Sequence, residues 1–160
     1  MHKIKSHTAQ GFTLVELLIV VTIIGILAML AIPSYQASVQ RGTRAVAVAG
    51  LLDLSNRQQQ FYLNNRSYAS SMADLGYPAD RVFSSGEDSA VALSNGRTLV
   101  ATTSADRVYI LKIDNATATA YTISAVPQLA QANDSECGTL TTDNTGARST
   151  SGTATSIDCW

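Results

Sequence analysis

Three regimes of hydrophobic spacing follow one another along the chain. Over 12–32 it reads FTLVELLIVVTIIGILAMLAI, a continuous apolar run of 21 residues broken by one charge, Glu16. A helix of that length rises about 31 Å, close to the roughly 30 Å hydrocarbon thickness of a bilayer. The run is long enough to span one. Over 34–65, apolar or small residues recur three and four apart at Tyr35, Val39, Gly42, Val46, Ala49 and Leu52, broadened by Leu51, Leu54, Phe61 and Tyr62. That spacing predicts one helical stripe, and such a stripe is core far more often than a binding box. No proline follows Pro33 in this stretch, so the expectation is one helix from about Thr13 to about Asn64, its second half laid on a globular head, with Asn64-Asn65 as its stop.

Alternation then replaces helical spacing. Residues 98–103, 107–113 and 120–126 read as strands, with Val108 and Ile110 on one face and Tyr109 and Leu111 on the other. Asp114-Asn115 offers a turn, Pro127 ends the third strand, and 138–142 is a fourth strand with 143–146 as its turn. Residues 78–95 are poorly patterned and read as a variable loop. The predicted class is α+β: a long N-terminal helix packed on an antiparallel sheet, without a repeat of solenoid period.

Composition sharpens this. The chain has 160 residues, enough for one domain or one domain plus an appendage. Only 14% of them are charged, where roughly 25% is ordinary for a soluble protein, and the deficit is local to the apolar run. These figures exclude a simple cytosolic enzyme, a coiled coil, a disordered tail and a multi-pass membrane protein. Both histidines, His2 and His7, precede the run; if that stretch is removed, histidine triads and histidine metal sites go with it. No spacing suggests a carboxylate-only or lysine-based site, and no cofactor motif is evident.

Cys137 and Cys159 follow the membrane segment in a Gly/Thr/Ser-rich tail of little apolar content. Unpaired core thiols are the alternative, but a disulfide stapling this tail is the expectation, and it implies an oxidising compartment. Closing such a loop removes about 3.4 kcal/mol of unfolded-chain entropy in the chain model.

The run itself has three readings: a cleaved secretory signal, an ordinary signal anchor, or a segment first held in lipid and later buried in protein. A standard signal has a core of about 7–15 apolar residues and a small-x-small cleavage site, neither of which fits. Lysines on one flank match arginines on the other, so positive charge does not decide orientation. The cysteines do, placing the N-terminus inside and the tail outside. Glu16 costs roughly 2.5–3.5 kcal/mol at membrane depth. It either reaches the head-group layer or needs a cationic partner, which a new amino terminus at Phe12 would supply in the next molecule.

Gly11-Phe12-Thr13-Leu14-Val15-Glu16, after a short basic leader and before the apolar run, resembles the class III signal of type IV pilins and pseudopilins. Gly25 and Pro33 match the helix-loosening positions of such segments. The resemblance implies cleavage by a prepilin peptidase between Gly11 and Phe12, N-methylation of Phe12, and filament assembly through Glu16, Gly25 and Pro33. Methylation keeps the amine's charge, so pairing with a neighbour's Glu16 remains available. Further on, Arg57-Gln58, Tyr62, Asn65, Tyr68, Leu75-Gly76-Tyr77, the segment 121–127 and the terminal Cys159-Trp160 resemble PilE-like minor pilins. Their aromatic spacing suggests packing where the helix exits into a loop.

The implied organisation is a leader at 1–11, a transmembrane and filament-core helix at 12–32, and a periplasmic head of pilin fold at 33–160. The implied partners are other pilin subunits, the prepilin peptidase, the inner-membrane assembly machinery, and DNA or a host surface. The protein would sit in the inner membrane, N-terminus cytoplasmic, and later in an extracellular pilus serving adhesion, twitching motility or DNA uptake. A DNA receptor for competence and a type II secretion pseudopilin are the alternatives. Without the leader the side chains carry nine basic against twelve acidic groups, a net of −3, and Arg81, Arg97, Arg107 and Lys112 are scattered. No basic stripe for nucleic acid is visible. Asp134, Glu136, Asp143 and Asp158 are calcium candidates, and Asn65, Asn115 and Asn133 open glycosylation acceptor patterns.

Overall fold

The computed structural model describes residues 12–78, 82, 90–101 and 103–160. Helix α1 covers Leu14–Asn65, within a residue of the expected ends, and continues through Gly25 and Pro33. Contacts divide the chain into a unit at Met1–Ser38 and a unit at Val39–Trp160.

In the second unit the strands are β1 (Ala90–Ser94), β2 (Leu99–Val100), β3 (Arg107–Ala116), β4 (Tyr121–Pro127), β5 (Leu140–Asp143) and β6 (Arg148–Thr150), followed by the short helix α2 (Ser156–Cys159). They form one antiparallel sheet in the order β2-β1-β3-β4-β5-β6. The fold is the expected α+β arrangement. Alternation on β3 turns Tyr109, Leu111 and Ile113 inward. There they join Tyr121, Ile123, Ala125 and Leu140 against Ala47, Leu51 and Leu54 of α1. Helix and sheet approach closely at Gly50, where a Cβ would lie 2.6 Å from Leu93 Cδ1 and 3.0 Å from Leu111 Cδ1.

Four expectations are corrected. The helical stripe is only partly right: Val46, Leu51 and Leu54 are buried as expected, but Tyr35 is 72% and Leu52 49% exposed, Val39 and Gly42 are also outward, and Thr43, Arg44, Ala47 and Gln58 complete the buried face. Three polar residues on that face disguise it. Second, the stretch 78–95, insofar as it is described, is not all loop. It holds β1, whose residues Ala90, Val91, Ala92, Leu93 and Ser94 are all buried, so no alternation marks it. Third, Asp114-Asn115 is not a turn: β3 continues past it with a register irregularity between Ile113 and Asn115. The turn lies at 117–120, where Thr117 Oγ1 accepts from Ala120 N at 3.0 Å. Fourth, the strand expected at 98–103 shortens to β2, and β6, a polar edge strand, was not foreseen. The fourth expected strand does form, as β5, and Gly146 closes its turn at φ 81°.

Candidate assembly site

The first unit's described part is the apolar half of α1. Thr13 caps it, its Oγ1 accepting from Glu16 N–H at 3.2 Å, one half of a Thr-x-x-Glu capping box. A carboxylate in the first turn also suits the helix dipole. Thr22 donates its hydroxyl to Leu18 O at 2.7 Å, leaving no hydroxyl hydrogen to satisfy. From Phe12, which is 84% exposed, through Ile32 the side chains find almost no cover, and Glu16 is the one acidic side chain among them. This half-helix is long and apolar enough to cross a membrane. A Cβ added at Gly25 would meet nothing within 4 Å. Gly11 lies outside the described residues.

The second unit is locked by a buried polar clamp. Arg44 donates from Nε and Nη2 to Asp134 Oδ2 and Oδ1, both at 2.6 Å, and from Nη2 to Glu136 Oε2 at 2.9 Å. Arg44 and Asp134 side chains are 8% and 0% exposed, against 71% for Glu136. Asp134 also accepts from Gln131 Nε2 at 3.1 Å and from Cys137 N–H at 3.3 Å. Burial pushes the Asp134 carboxyl up, but the Arg44 hydrogen bonds, the Cys137 N–H and the guanidinium charge together hold it below the usual range. Tyr109, whose hydroxyl meets Gln131 Nε2 at 3.2 Å, is raised to about 12, chiefly by burial.

The clamp delivers Cys137 to its partner: Cys137 and Cys159 form the expected disulfide, separated by 22 positions. At the far end of α1, buried Gln58 exchanges two hydrogen bonds with the Ala69 backbone, at 2.8 and 2.9 Å. Tyr68 stacks on Tyr62 and meets Tyr121 edge-on, centroids 4.7 and 4.8 Å apart. These aromatics pack the helix exit, as their spacing suggested. Gly152 is a close backbone approach that sequence alone did not expose: a Cβ there would fall 2.7 Å from Cys137 N.

Other candidates disperse. Asp134 and Glu136 are held by Arg44, Asp143 caps its own turn through Thr145, and Asp158 accepts from Thr155. Among the described residues no cluster suits a metal ion, so these four calcium candidates do not come together as a site. Arg97 sits in the β1–β2 turn at φ 60°, Arg107 at the start of β3 and Lys112 midway along it; Arg81 lies outside the described residues. Asn65, Asn115 and Asn133 are all exposed.

Two families match the chain: "Prokaryotic N-terminal methylation motif" over residues 6–32, and "Type IV minor pilin ComP, DNA uptake sequence receptor" over residues 33–141. Among similar proteins, the type IV wide pilus major component PilA4 of Thermus thermophilus is 44% identical over 69 residues, covering 43% of this chain and 53% of that protein. The type IV major pilin PilA of Myxococcus xanthus is 38% identical over 72 residues, 45% of this chain and 33% of that one. The type II secretion system core protein G of Pectobacterium carotovorum is 32% identical over 69 residues, 43% and 44% of the two chains. The chain thus spans about half or less of the length of these relatives.

Proposed function

The chain belongs to the family of the type IV minor pilin ComP, DNA uptake sequence receptor, and from that premise we propose that it is a structural subunit of a type IV pilus. A peptidase cuts after Gly11, the new amino group of Phe12 is methylated, and the subunit waits in the inner membrane with its head in the periplasm. It then packs its stalk among the stalks of other pilins. The observation that carries this reading is the stalk: an apolar half-helix, bare from 12 to 32, with a single acid four residues behind the new amino terminus.

The physics of the switch from lipid to filament follows. Apolar burial against neighbouring helices supplies the cohesion. An ion pair between Phe12 of one subunit and Glu16 of the next penalises wrong register, because a lone desolvated charge costs several kcal/mol while the pair is tolerable. Gly25 costs about 1 kcal/mol against alanine and Pro33 removes a backbone donor, so the helix loosens there during packing. Glu16→Ala should leave membrane insertion intact and lower incorporation into sheared pili; equal content with the wild type refutes this.

A second reading, a receptor for duplex DNA, is favoured by the family match over 33–141. Arg44 and Arg57 are occupied by carboxylates, so phosphate would have to be met by other basic side chains, the exposed Arg66, Arg97 and Arg148 among them. Binding by the mature full-length chain should then weaken with salt at a slope of roughly 0.9 per phosphate contacted. A salt-independent shift, or none, dismisses it. A type II secretion pseudopilin ranks below both, since core protein G is 32% identical over 69 residues where PilA4 is 44% identical over a stretch of the same length, and the head carries a C-terminal disulfide.

A further inference from the structure

A groove of about 600 Å³ runs between α1 and the 66–77 loop. Asn56, Gln60 and Asn64 line its helical wall. At four-residue spacing they form a row of amides about 12 Å long on one face. Asp74 stands on the opposite wall, and Phe61, half-buried against the core, supplies an apolar surface. Asn64 donates Nδ2 to Gln60 O at 3.2 Å, which leaves its Oδ1 to accept. Among the described residues the side-chain amides of Asn56 and Gln60 and the carboxylate of Asp74 have no hydrogen-bond partner.

The walls are rigid. Arg57 donates to Asp53 Oδ2 at 2.8 Å and to Leu75 O at 2.9 Å, and its guanidinium lies 4.6 Å from the Tyr77 ring centroid. Tyr77 in turn donates to Asp53 at 3.0 Å. Arg57 is therefore committed, its charge met by Asp53, and Asp74 leaves the groove net negative. Phosphate and nucleic acid are disfavoured. A peptide would seek more apolar anchors than one half-buried aromatic. Each amide presents a donor and an acceptor side by side, as do two adjacent ring hydroxyls of a sugar, whose C–H face would lie on Phe61.

We propose that this groove binds a neutral, hydroxyl-rich oligosaccharide. The site does not depend on assembly into a pilus and goes beyond that role. The test titrates the mature full-length chain, in detergent micelles, with maltotriose and with chitotriose, following side-chain amide signals by NMR. At least one trisaccharide should shift the Asn56, Gln60 and Asn64 signals to saturation. Asn56→Ala and Gln60→Ala should each weaken binding about two- to tenfold, as loss of one net hydrogen bond does. Both side chains are exposed, so the melting temperature should not move. Unmoved signals with both sugars, or alanine variants that bind like the wild type, overturn the proposal. Larger shifts with duplex DNA overturn it as well, and so does a filament cross-link from position 60 to a neighbouring subunit.

Discussion

Replacing Arg44 with methionine isolates the clamp. The change keeps much of the stem's packing but deletes the guanidinium that faces Asp134, whose side chain is 0% exposed. Asp134 would retain Gln131 and the Cys137 N–H but lose its counter-charge. Breaking a buried pair from one side typically costs about 3–5 kcal/mol, a large part of the roughly 5–15 kcal/mol of a whole domain. At about 4 °C per kcal/mol the head should melt roughly 10–20 °C lower. The pH dependence has a definite sign. In the wild type Asp134 is depressed, so its contribution is present above the ordinary carboxylate range near pH 4 and is lost as pH falls through the lower folded value. In Arg44→Met the guanidinium no longer opposes burial and only backbone N–H groups still do, so Asp134 rises relative to the wild type and protonation partly relieves that variant. The gap between the two must shrink on acidification. Melting of the mature chain, followed by circular dichroism from neutral pH to below about pH 4, reads both effects. A loss under about 1 kcal/mol, the range of an exposed pair, or a gap indifferent to pH, refutes the reasoning. Arg44→Met with Asp134→Leu should recover much of the loss, because a well-packed apolar replacement of a buried pair is often neutral.

Reducing the Cys137–Cys159 bond should lower head stability by about 2–5 kcal/mol, and a calorimetric melt unchanged by reductant counts against the stapled tail. Gly50→Val should destabilise by about 1–3 kcal/mol through overpacking against Leu93 and Leu111. By contrast Gly42→Ala, whose Cβ meets nothing within 4 Å, should gain up to about 1 kcal/mol of helix propensity. Equal denaturation midpoints for the two variants would remove the close contact from the account.

The antiparallel sheet of the head was legible in outline, but not every strand of it. Tyr109, Leu111 and Ile113 show period two because one face of β3 is covered by α1. Ala90–Ser94 shows no period because both its faces are covered. Arg148–Thr150 shows none because it is a polar edge. The groove was legible only in part: Asn56, Gln60 and Asn64 sit at helical spacing, yet nothing local brings Asp74 opposite them. The Arg57-Gln58 pair stood out as a motif, but its work is tertiary, Arg57 holding the Leu75 carbonyl and Gln58 the Ala69 backbone.

By itself the sequence determined the stalk, the length of α1, its stop, and the presence of a polar α+β head. These rest on interactions between near neighbours, namely helix hydrogen bonds, capping and an uninterrupted apolar run. Only the tertiary structure decided which face of α1 is buried. Hydropathy points to Tyr35, Val39 and Leu52, but the fold buries Thr43, Arg44 and Gln58 and leaves Leu52 half outside. Burying a charge is acceptable only beside its counter-ion, and the partner of Arg44 lies 90 positions away. Local spacing carries no trace of a partner so distant in the chain, so the apolar residues Val46, Leu51 and Leu54 marked part of the buried face while long-range pairing added Arg44 to it.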